Sequence, residues 1–179
     1  METLLFSGRS IWTMVHGIVL GGAALMGLAA ALFSLRAMQA VGDAAAEQRQ
    51  SRYLAWLMVS VAVMLWLTVI VGTYVTFPPY RATPPEGLTD LARYPRSLVR
   101  SNPETAWLHS FAMEIKEHIP WIAAMLATAV AFVSMRYRSE MLRDASMRRM
   151  TTTMVGLCLA VVAAVAILGV FINKVAPLE

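Results

Sequence analysis

The chain has 179 residues, of which 58% are hydrophobic and 15% charged, and it carries a net charge of +4. Such apolar content lies well above the usage of soluble domains, so the class is an integral membrane protein. The positive charge collects where lipid head groups would sit, which argues against nucleic acid as a partner, and the one cysteine, Cys158, falls inside an apolar segment where it forms neither a disulfide nor a haem-attachment or zinc motif.

Four apolar segments reach the roughly 20 residues that a helical span requires: about 11–35, 53–77, 115–136 and 151–173. They predict an all-α fold, a single transmembrane domain over residues 1–179 built as a four-helix bundle. The first segment is too long and too weakly preceded by basic residues for a signal peptide and reads as a retained span. It carries His16 beside Gly17, and the Gly17-xxx-Gly21 spacing predicts close helix approach there.

A short connection with Arg36, Arg49 and Arg52 against Asp43 and Glu47 leads to the second span, which the Pro78–Pro79 pair is expected to stop after Phe77. Tyr74, Tyr80 and Arg81 fall at that end as interfacial anchors. Residues 78–106 read as an ordered outer loop. Asn102, Pro103 and Glu104 form a helix-start signature: a capping side chain, proline at the first helical position and an acid in the first turn. A third helix from there to Met135 would be about 50 Å long at 1.5 Å per residue, so it is expected to project from the outer face, bending at Pro120.

The next connection holds Arg136, Arg138, Arg143, Arg148 and Arg149 against Glu140 and Asp144. It is the most basic of the connections, which places it and the first connection in the cytoplasm and both termini outside. The last span is almost wholly aliphatic, so its task is packing, with Cys158 as a small core residue.

The candidate chemistry lies where the charged lead-in of the third span meets its apolar run: Glu114, Lys116, Glu117 and His118. Ionisable groups at a bilayer boundary are costly unless partnered or useful. His16 lies 20 residues from Arg36 and His118 lies 18 from Arg136, about 30 Å and 27 Å along their helices, so the two histidines sit at nearly one depth, with Tyr74 at a similar level. Two imidazoles on different spans at matching depth are what axial ligation of a b-type haem requires. Gly17 would let the macrocycle lie against the backbone, while Arg81, Tyr80 or Lys116 would meet the propionates. Met14 or Met113 could replace one imidazole.

This arrangement resembles the membrane-anchored four-helix b-type cytochrome subunits. The resemblance implies one haem b held by His16 and His118, electron relay between a membrane quinone and a periplasmic cytochrome, and membership of a larger complex in the inner membrane. Two other readings stay open. Glu114, four residues before His118 on one helix face, could orient that imidazole or join it, Glu117 and His16 around a single transition metal. Alternatively the chain is a cofactor-free accessory subunit of a respiratory or transport complex. Nothing in the sequence pairs a nucleophile with a base or offers a phosphate-binding glycine loop, so an independent enzyme is not expected.

Overall fold

The structure, a computed structural model, describes residues 7–38 and 42–177. Its elements, in order, are α1 (Gly8–Ala37), α2 (Ala44–Arg81), the short α3 (Pro95–Ser101), α4 (Leu108–Arg136), the short α5 (Arg138–Arg143) and α6 (Ala145–Val175). No strand is present among the described residues. The helices α1, α2, α4 and α6 are each long and apolar enough to cross a membrane, in keeping with the multi-pass expectation.

Each of these four packs on two others, in the order α1, α2, α4, α6 and back to α1, and the contacts that α2 makes with α1 and with α4 are the most extensive. Their inward stripes follow helical periodicity: Ala24, Leu28, Ala31 and Leu35 on α1; Leu54, Met58, Val61 and Leu65 on α2; Ala123, Ala127, Val130 and Ser134 on α4; Thr151, Val155 and Cys158 on α6. Lipid tails are as apolar as leucine, so burial itself draws such helices together little; close van der Waals contact between small residues does. The run of alanines on α4 supplies that contact. Between α2 and α4 a hydrogen bond adds to it, from Trp66 Nε1 to Thr128 Oγ1 at 2.9 Å, beside an edge-on packing of Trp66 and Trp121.

Close approach falls on other glycines than the sequence pattern suggested. A Cβ on Gly17 would meet nothing within 4 Å, and on Gly21 only the His16 carbonyl of its own helix. On Gly27 it would stand 2.6 Å from Val61 Cγ2, so α1 and α2 meet there. The Gly17-xxx-Gly21 face points away from that seam.

Two helix boundaries also differ from expectation. The second span does not stop at Phe77: the chain turns through a π-helical stretch, Gly72–Thr76, and resumes as Phe77–Arg81 with the prolines at its first positions, where a missing N–H costs no intrahelical bond. The third helix does not begin at Pro103. Asn102 Oδ1 does accept from the Glu104 amide at 2.9 Å, as a cap would, but Thr105 Oγ1 donates to the Val99 carbonyl at 2.8 Å and ties the segment back to α3 as a turn. Leu108, Ala112 and Met113 at the start of α4 are buried in a second cluster with Tyr80, Val99, Ile172 and Ala176. The start of α4 is therefore packed against α3, α6 and the end of α2. It does not project as a free rod.

Candidate functional site

The four long helices carry one position each at the same distance from their basic ends. His16 is 20 residues from Arg36, Gly72 is 20 from Arg52, Lys116 is 20 from Arg136 and Gly169 is 20 from Arg149. At 1.5 Å per residue all four lie about 30 Å from the arginine loops, close to the far edge of a hydrocarbon core. The structure pairs them. An ideal Cβ on Gly72 would be 2.7 Å from His16 Cε1, and one on Gly169 would be 2.8 Å from Lys116 Nζ. Each polar side chain thus lies on the bare backbone of its neighbour; a methyl at Gly72 would meet the imidazole ring itself, and one at Gly169 the movable tip of the lysine.

His16 belongs to a π-helical stretch, Val15–Gly21, and Gly72, which opens a second such stretch, Gly72–Thr76, lies against its ring. A third, Leu108–Met113, opens α4 at the same end of the molecule. Wider turns of this kind shift side-chain phase and disturb the local hydrogen-bond ladder, and they are frequent at functional sites. Here the consequence is specific: His16 Nδ1 donates to the Thr68 carbonyl, 2.9 Å away, just ahead of the π turn. A carbonyl can only accept, so the proton of the neutral ring sits on Nδ1 and Nε2 keeps its lone pair.

Lys116 stands on the inward face of α4, since 116, 120, 123 and 127 form one stripe with the buried Ala123 and Ala127. It is half-buried, no hydrogen bond or ion pair to it occurs among the described residues, and it lies within electrostatic reach of His16. A proton acceptor and an unpaired cation therefore occupy one level of the helical core.

The other expected site residues lie elsewhere. His118 is about 200° around α4 from Lys116 at 100° per residue, its side chain is 71% exposed, and its Nδ1 donates to the Glu114 carbonyl at 2.8 Å. The Glu114 side chain, 60% exposed, places a carboxylate oxygen 3.8 Å from the same nitrogen. Glu114 thus does orient His118, chiefly through its backbone, but on the outward face. Tyr74 and Gly17 are exposed, and Arg81 is exposed with its guanidinium 5.4 Å over the Phe77 ring. His109 meets Tyr80, with Nδ1 and the phenol oxygen 3.1 Å apart above the second core cluster. No group of three or more His, Cys, Asp or Glu side chains gathers into a metal site among the described residues.

These positions do not fit a haem gripped by His16 and His118 in one copy of the chain. His16 has the tautomer an axial ligand needs, with its other nitrogen on a backbone carbonyl, but the second imidazole is turned out of the core. Gly72 and Gly169 were missed as site residues, and Lys116 was read only as one of the boundary charges and a partner for the propionates. The signal was present in the sequence: counting 20 residues from each basic helix end, or running the Ala127 and Ala123 stripe backward, reaches Lys116 and not His118. No protein-family model matches this chain, and no curated protein or solved structure proves similar to it.

Proposed function

We propose that this chain is a membrane subunit that binds the hydroxyl-bearing head of a lipid-soluble redox carrier, a quinol, near the outer edge of a four-helix bundle. His16 Nε2 takes the hydroxyl proton: the carrier's O–H bond breaks, an N–H bond forms, and the resulting oxyanion is held beside the Lys116 ammonium. Two electrons pass to a redox-active partner subunit of a larger inner-membrane complex, and the second hydroxyl proton leaves to water at the outer edge, so that the quinol becomes a quinone. The observation that carries this reading is an imidazole held through Nδ1 by a backbone carbonyl, at one level of an apolar helical core with a lysine that has no hydrogen-bond or ion-pair partner among the described residues. Ionisable groups so placed are functional by default, and this pair suits a ligand that is neutral when it arrives through lipid and anionic once it has lost a proton.

Excess arginine in the two short connections supports a cytoplasmic location for them and, with it, an outside position for both termini and the His16–Lys116 level. Haem b has no step in this proposal because His118 is turned outward. The test is binding of a non-oxidisable quinol analogue to the full chain in nanodiscs. His16→Ala and Lys116→Met should each weaken it at least tenfold, about 1.4 kcal/mol or more. Unchanged affinity in both variants, with unchanged thermal melting, would remove the proposal. A reduced b-type spectrum in the purified protein, lost in both His16→Ala and His118→Ala, would return haem to the centre.

The outward Glu114–His118 pair favours a second reading, that of a cofactor-free accessory subunit docking through the exposed face of α4. In that case His118→Ala would abolish copurification with large subunits while His16→Ala would not.

A further inference from the structure

A second polar feature, independent of the His16–Lys116 pair, lies where α3 crosses the start of α4. Arg96, Arg100, Ala106, His109, Ser110 and Glu114 line an open groove of about 620 Å³. Arg96 and Arg100 are four residues apart on α3, so both guanidinium groups project from one side of that helix. Arg96 Nε is buried and has no hydrogen-bond partner. A buried N–H left in that state is costly, which makes it a donor awaiting an acceptor.

We propose that this groove binds a phosphate group, held by the forked donors of Arg96 and Arg100. Guanidinium groups match phosphate oxygens in a bidentate fashion that a point charge cannot. His109 is fixed by Tyr80 through Nδ1, which leaves Nε2 as a further polar atom at the groove. Ser110 brings a hydroxyl, at present donating to the Ala106 carbonyl at 3.3 Å. Glu114 on the rim opposes an anion, so the net local charge from these side chains is one positive unit from two arginines and one carboxylate, and direct contact falls to the arginines.

The position favours a membrane source. The groove straddles the end of a membrane-crossing helix and a short helix beyond it, and the exposed Trp107 and Phe111 flank it as rings at the head-group level do. Lipid phosphates at head-group level are within reach of such paired guanidinium groups. A free phosphate would offer the same oxygens.

The experiment uses the full chain in maltoside micelles, which contain no phosphate, and reads bound mass by native mass spectrometry. Phosphatidylglycerol and inorganic phosphate are added in separate arms. The lipid should bind one per chain, at least tenfold more weakly in the Arg96→Ala/Arg100→Ala variant, and equally well in Arg149→Ala at the opposite end of the molecule. Phosphate binding alone, lost in the same variant, would keep the site and assign it to a free ion. Binding of neither, or binding that the double variant leaves unchanged, would overturn the proposal. Should the double variant misfold, Arg100→Ala alone, at an exposed position, gives the same reading with a smaller loss.

Discussion

The two halves of the long helices are built on different rules. Toward the arginine loops the helices are regular and their seam is alanine, leucine, valine and methionine with scarcely a polar atom. Toward the termini three of the four helices carry π-helical stretches, and two helix contacts are made by a polar side chain lying on a glycine. The first half can only pack. The second concentrates hydrogen-bonding groups, wide turns and bare backbone, each of which lowers packing quality and is tolerated where the chain has other work to do.

That contrast can be broken most forcefully at Gly72. A methyl there would collide with a ring held by the Thr68 carbonyl, so Gly72→Ala should abolish quinol-analogue binding, at least tenfold, and destabilise the fold by about 1–3 kcal/mol. Calorimetry and thermal unfolding of the same sample check both effects. Gly27→Ala probes the packing half. Its methyl would stand 2.6 Å from Val61 Cγ2, and the cost should again be about 1–3 kcal/mol, but ligand binding by the folded fraction should not change.

Gly169→Ala sharpens the comparison from the other side. The atom in its way is the tip of a flexible lysine, so stability should move by only a few tenths of a kcal/mol while the displaced ammonium weakens analogue binding severalfold. In the packing half, Thr128→Val removes the acceptor of Trp66 and should cost about 0.6 kcal/mol, the usual size for such bonds in a membrane.

The smallest effect concerns the arginine loops. A hydrogen bond from its own backbone amide, then one from Ser139 and the nearby Arg136 and Arg143, hold the Glu140 carboxyl below the usual carboxylate range. A depressed folded-state pKa contributes stability that is present above the ordinary carboxylate pKa and lost as pH falls through the lowered one. Glu140→Gln should lower the melting temperature slightly at neutral pH and leave it unchanged at acid pH, so that the acid limb of the curve flattens.

The membrane class, the four spans and the buried Cys158 were legible because span length and apolar run are local properties of the sequence. What failed to show was phase. His16 and His118 share a depth, and depth is read from residue count. Which face a side chain takes depends on where the neighbouring helices sit, and three π stretches alter that phase near the site. The glycine pattern misled for a related reason: Gly17 and Gly21 have the spacing of a packing motif, but the seams run through Gly27, Gly72 and Gly169, singly placed residues that no short motif marks. The proline pair misled because a π turn ahead of it let the helix restart with proline at its first positions.

Solid-state ¹⁵N spectra of imidazole-labelled protein in bilayers, recorded before and after adding the quinol analogue, test the central claim most directly. His16 should begin with its proton on Nδ1 and a bare Nε2, and the Nε2 signal should shift toward the hydrogen-bonded or protonated range on binding while the His118 signals stay fixed. A spectrum in which His118 responds and His16 does not would contradict the account.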